Sequence, residues 1–211
     1  MNTCKEDRVV AKDGKEMALI PGGEFLMGSE NGYSEERPVH KVAVKSFYMD
    51  KCLVTNREYK LFCDETKNKY PENPPWKEIP DYFINYPSHP AVNVSVQDAA
   101  AYAKWAGKRL ASEEEWEYAA CGGNEHPLYP WNDEEPDGTK ANYADRNTDY
   151  PWNDFYTSDG YKYTSPVGSY EANGYGLYDM NGNATSTDAL VPMAPWRAQP
   201  SAVGMVQRLV L

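Results

Sequence analysis

The chain has 211 residues, of which 41% are hydrophobic and 25% charged, with a formal net charge of -11 and 17 Tyr. That length and composition suit one folded domain with a substantial core and exclude a disordered chain. The negative charge repels a phosphate backbone, which excludes nucleic acid as a partner, and no stretch reaches the ~20 apolar residues of a membrane helix.

The first residues, "MNTCKEDRVV", contain no apolar signal-peptide core, so a cytoplasmic protein is expected. Residues 1–16 read as an N-terminal lead. "MALIPGGEFLMGS" (17–29) reads as a strand, a Pro-Gly-Gly turn and a second strand. "HKVAVKSFYMDKCLV" (40–54) alternates and is rich in β-branched and aromatic residues, which predicts one further strand.

Three helices follow, each opened by a cap. Thr55 and Glu58 form a capping box ahead of Tyr59, Phe62 and Cys63. Ser95 opens a helix that places Val96, Ala99, Ala103 and Ala106 along one face, with Tyr102 and Trp105 beside it and Gly107 as its stop. Ser112 and Glu115 open the third, which carries Trp116, Ala119 and Ala120 and ends at Gly122-Gly123.

Beyond Gly123 the periodicity fades. Residues 124–183 are rich in Asn, Asp, Gly, Pro, Tyr and Trp, and a loop of that length needs stacked aromatics, short strands or a bound metal to hold it. Hard oxygen donors are dense between Asn132 and Asp159, as a calcium site requires. Asp145-x-Asn147-x-Asp149 begins like an EF-hand loop, but Tyr150 stands where that loop needs Gly and Tyr156 where it needs Glu. The histidines His40, His89 and His126 form no metal motif. The four cysteines, Cys4, Cys52, Cys63 and Cys121, have no CxxC spacing and are expected to be free thiols.

Longer motifs carry a resemblance. "HPAVNVSVQDAAAYAKWAGKRLASEEEWEYAACGG" (89–123), "YPWNDEEPDGTKANYAD" (129–145) and "SPVGSYEANGYGLYDMNGN" (165–183) resemble the formylglycine-generating enzymes, the sulfatase-modifying factor family. "MALIPGGEFLMGS" and "SFYMDKCLVTNREY" are similar to that family's opening, so the resemblance spans about residues 17–183. It implies an α+β fold of C-type-lectin type, with little regular secondary structure and long ordered loops. It also implies structural calcium held by Asn142 and Tyr143 of "ANY" and by Asp159 and Tyr161 of "SDGY". A second calcium site of the family includes Asn183, but Thr185, Ser186 and Thr187 replace its Trp-Glu-Trp, which removes the anionic ligand.

The family's oxidation of a substrate cysteine uses copper held by two thiolates that follow an R-G-G-S-W stretch. This sequence has neither that stretch nor a cysteine after Cys121, so no catalytic residue is carried over and copper is not expected. Residues 184–211 instead form a divergent segment that completes or caps the domain and ends in "QRLVL", with Leu209 and Val210 expected to be buried in a strand. One implied function is a non-oxidase ligand-binding protein of the kind diversified by retroelements, taking a protein or a small molecule. Trp196, Arg197, Gln199 and Arg208 are then the candidate contacts. The alternatives are a truncated or frame-altered copper-dependent oxidase and a structural domain without a ligand.

Overall fold

A computed structural model describes residues 10–30, 36–125, 127, 129–131, 134, 137–151 and 153–183, together with the backbone of 209–210. Four N-terminal strands form one long antiparallel ribbon. β1 (Met17–Ile20) pairs with β4 (Phe47–Asp50), and β2 (Gly23–Met27) pairs with β3 (His40–Val44). The register is continuous across the break: Ile20 faces Phe47 and Gly23 faces Val44, which leaves Pro21 and Gly22 opposite Ser46 and Lys45. Pro21 has no N–H to donate, so the ladder is interrupted there and each half of the ribbon enters a different sheet. The single strand expected over 40–54 is therefore two strands, parted at Lys45-Ser46.

The three expected helices form where their caps place them. α1 (Asn56–Thr66) has the complete Thr55/Glu58 capping box. α2 (Tyr82–Asn85) is a single turn without a side-chain cap, which explains why no sequence signal marks it. α3 (Val96–Ala106) starts at Ser95, whose hydroxyl accepts from the Asp98 amide, and stops at Gly107 with φ 77°. α4 (Glu113–Ala120) has the Ser112/Glu115 capping box. Ala99, Ala103 and Ala106 are buried as expected, but Val96 is 66% exposed, and Tyr102 occupies the inner face instead.

β5 (Arg109–Leu110) and β6 (Leu209–Val210) complete a four-stranded sheet of order β1-β4-β6-β5. Val210 faces both Met49 and Arg109, so the C-terminal end of the chain lies between elements more than a hundred residues earlier. The expected strand at Leu209 and Val210 is present; their side chains lie outside the described residues.

Two main apolar clusters form the core. One joins Ile20, Phe47 and Met49 of the ribbon to Tyr118 and Ala119 of α4 and to Leu177. The other packs Tyr59 and Phe62 of α1 against Tyr102 and Ala103 of α3. A buried ionic network lies at the junction of the sheet and the helices. Lys108 Nζ donates to Asp13 at 2.7 and 3.0 Å and to Asp50 at 2.7 and 3.0 Å. Tyr102 Oη donates to Asp13, while the buried Lys15 donates to Leu53 O and Glu58. Residues 10–16 of the N-terminal lead are thus tied to β4, α1, α3 and the start of β5. Burial raises Asp50 from 3.8 to about 6, against the opposing pull of Lys108 and Lys15.

Candidate functional site

The irregular half of the domain is held by its own side chains. Asp137, Asp145, Asp154, Asp159 and Asn173 each accept, through Oδ1, the backbone amide two residues on. These are Asx turns, in which a short carbonyl-bearing side chain takes the place of a backbone acceptor. Asn173 reaches further, accepting from Leu177 N and donating to Ala119 O at 2.8 Å, and so fastens the loop to the C-terminal turn of α4. Stacked rings add to this, with Tyr129 on Trp131 at 5.2 Å and Trp76 on Tyr163 at 4.6 Å. Many of the oxygens that read as metal donors are therefore already engaged with backbone amides.

Asn142, Tyr143, Asp159 and Tyr161 come together inside this framework. Tyr143 N donates to Asp159 Oδ2 at 2.9 Å and Tyr161 N to Asp159 Oδ1 at 2.8 Å. Asn142 is fully buried and donates through Nδ2 to Tyr163 O at 2.8 Å. Its Oδ1 is also buried and meets no hydrogen-bond partner. Burial raises the Asp159 carboxyl from 3.8 to about 7, more than the Tyr161 and Tyr143 amides lower it. Asn142 Oδ1, buried without a donor, and the Asp159 carboxylate, whose oxygens also accept the Tyr143 and Tyr161 amides, are of the hard-oxygen type that fits a divalent ion.

The supporting residues include one that its motif concealed. Asp145 is fully buried, and its Oδ2 accepts from the Asn147 side chain and from the Asp159 backbone amide, which fixes the turn that carries Asp159. The Asp145-x-Asn147 spacing was the available signal; it marks an Asx turn rather than an EF-hand. Ser165 Oγ and Tyr170 Oη are two further buried polar atoms, close enough that the Ser165 hydroxyl opposes the rise that burial and the nearby Asp159 charge impose on the Tyr170 phenol.

Asn183 joins the same framework and is nearly fully buried. Its N–H donates to Asn142 O at 2.9 Å, its Oδ1 accepts from Ser165 N at 2.9 Å, and its Nδ2 donates to Asp179 at 3.3 Å. The amide oxygen expected at a second calcium site is thus engaged by Ser165. Trp196, Arg197, Gln199 and Arg208 lie outside the described residues, as do His126 and Cys4. The segment that carries those candidate residues follows Asn183 and precedes β6, which lies inside the sheet.

The thiols and imidazoles form no centre among the described residues. Cys63 belongs to the cluster under α1 and α3, Cys121 to the cluster under α4, and Cys52 is half-buried. Burial pushes Cys63 up to about 11, away from the thiolate that copper requires. His40 contacts Pro38 O and His89 contacts Thr164 Oγ1, both at 2.9 Å. Burial lowers His89 below its usual range. No helix among the described residues is long and apolar enough to cross a membrane.

Comparison with known proteins places these features in a family. Residues 4–187 match the "Sulfatase-modifying factor enzyme 1-like domain". The chain is 35% identical to the formylglycine-generating enzyme of Thermomonospora curvata, covering 89% of this chain and 75% of that protein. It is 38% identical to serine/threonine-protein kinase pkn1 of Chlamydia caviae, covering 80% of this chain but only 26% of the kinase. Among solved structures, PvdO from Pseudomonas aeruginosa is similar at a TM-score of 0.67 and 24% identity, covering 97% of this chain and 98% of PvdO. Treponema denticola variable protein 1 is similar at a TM-score of 0.61 and 17% identity, covering 93% of this chain and 89% of that one.

Proposed function

The chain belongs to the sulfatase-modifying factor family, and on that premise we propose that it is a non-oxidase ligand-binding protein that displays residues 184–208 on a calcium-braced scaffold of C-type-lectin type. One observation carries the reading: both ends of that segment are fixed. Asn183 is held by Asn142, Ser165 and Asp179, and Val210 is paired on both sides by β4 and β5. A segment tethered at two rigid points changes its sequence without unravelling the domain and loses less entropy on binding than a free tail. The fold is shared with a variable protein of Treponema, an analogy of scaffold rather than of use.

Calcium supplies a charge partner for the buried oxygens rather than chemistry. Asn142 and Asp159 would hold it through side-chain oxygens, and Tyr143 and Tyr161 through their carbonyls. Asp145 positions Asp159 from behind. Copper does not fit the described thiols: Cys63 and Cys121 lie in separate core clusters, and Cys52 is half-buried outside both. No step of the family's oxidation is assigned to this chain.

The second reading is a truncated or frame-altered copper-dependent oxidase, favoured by the 35% identity to a formylglycine-generating enzyme. Sequencing the sibling copies in the source genome separates the two. Display predicts substitutions concentrated in 184–208 over a constant 17–183. An even spread of substitutions removes the display reading. A reading frame that restores R-G-G-S-W and two cysteines turns the assignment to the oxidase.

A further inference from the structure

We propose that the cleft between the β2–β3 ribbon and the C-terminal end of α4 binds a small organic cation, an ammonium or guanidinium group carried on an apolar body. The inference goes beyond the display reading, because among the described residues the lining runs from Glu24 to Tyr175. The cleft encloses about 330 Å³, at the small end of the range of small-molecule sites.

Aromatic rings form its walls. Phe25 lies 5.3 Å from Tyr118, and Tyr118 lies 6.0 Å from Tyr175, measured between ring centroids. Three distant segments bring them there through close backbone approach. A Cβ on Gly23 would stand 2.5 Å from Tyr118 Oη, so the bare strand lets that ring lie over it. A Cβ on Gly174 would collide with Gly122 O, so the two backbones touch and Tyr175 comes alongside Gly123.

The charges around the walls select the sign of the ligand. Lys41, the cleft's one lining cation among the described residues, is paired with Glu24 at 3.1 Å. Glu125 is exposed and forms no ion pair among the described residues, leaving two carboxylates against one ammonium there. The C-terminal end of α4, the negative end of its dipole, adjoins the same space through Cys121, Gly123 and Asn124. An anion would meet Glu125. A cation meets a carboxylate and three aromatic rings, an arrangement that favours ammonium and guanidinium groups.

Phenethylamine and its neutral isostere 2-phenylethanol, each titrated into the full chain by NMR, test the proposal. The amine is expected to bind about tenfold more tightly than the alcohol. Glu125→Gln is expected to remove most of that preference and leave the alcohol unchanged; this exposed change leaves the core untouched. Tyr175→Leu is expected to weaken both, and 0.5 M salt to weaken only the amine. Equal affinities for the two probes, no binding of the amine at about 10 mM, or an amine affinity indifferent to Glu125→Gln would overturn it.

Discussion

At the scale of single residues, the domain depends on polar groups placed inside it. Lys108 has no exposed side-chain surface and holds Asp13 and Asp50 together. Lys108→Met would leave two carboxylates facing each other in the core and is expected to cost about 3–5 kcal/mol in a urea melt at pH 7. Asp50→Asn removes one charge and leaves the Lys108–Asp13 pair, so its cost is expected to be small. Because Asp50 is raised from 3.8 to about 6, the folded state holds that proton more tightly than the unfolded chain. Its contribution to stability is therefore full below about pH 4 and falls away as pH rises to about 6. The stability of Asp50→Asn relative to wild type should rise across that window by about 3 kcal/mol and stay level above it. A difference that is flat with pH would show that Asp50 is charged without penalty. Little of this network was legible beforehand, because Asp13, Asp50 and Lys108 are far apart in sequence and share no motif. The candidate calcium residues were legible from "ANY" and "SDGY", while the engagement of Asp145 and Asp159 with backbone amides needed the fold.

At the scale of elements, local chemistry announced the helices and missed the sheet partners. Thr55, Ser95 and Ser112 cap their helices through their own side chains, so three starts were readable within a few residues. α2 has no such cap and a single turn gives no periodicity. The strands of the ribbon are readable from sequence, but their division between two sheets depends on Pro21 and Gly22 lying opposite Ser46 and Lys45. Val96 fits the apolar face by spacing, yet lies at the first turn of α3 and is exposed. β6 is the element on which the C-terminal end depends. Val210→Pro would remove a ladder N–H between β4 and β5, leaving an acceptor unpaired, and is expected to cost about 1–3 kcal/mol by chemical denaturation. An unchanged midpoint would mean that the strand contributes nothing to the closed sheet.

At the scale of the whole molecule, two apolar clusters support an irregular half that Asx turns and stacked rings hold in shape. Asn183 and β6 fix the ends of the divergent segment, and the side-chain oxygen of Asn142 is buried without a hydrogen-bond partner. The net charge of -11 also favours divalent cations over anions at this surface. The chain's family membership supplies the scaffold, whereas its activity depends on what the scaffold carries. A calcium-braced domain without a copper centre is tested most directly by calorimetric titration of the metal-free full chain with Ca²⁺ and, separately, with Cu(I). One calcium per chain, a melting temperature that rises with calcium concentration by linkage, and no stoichiometric copper binding are expected. Tight binding of one Cu(I) per chain, or no response to calcium, would contradict it.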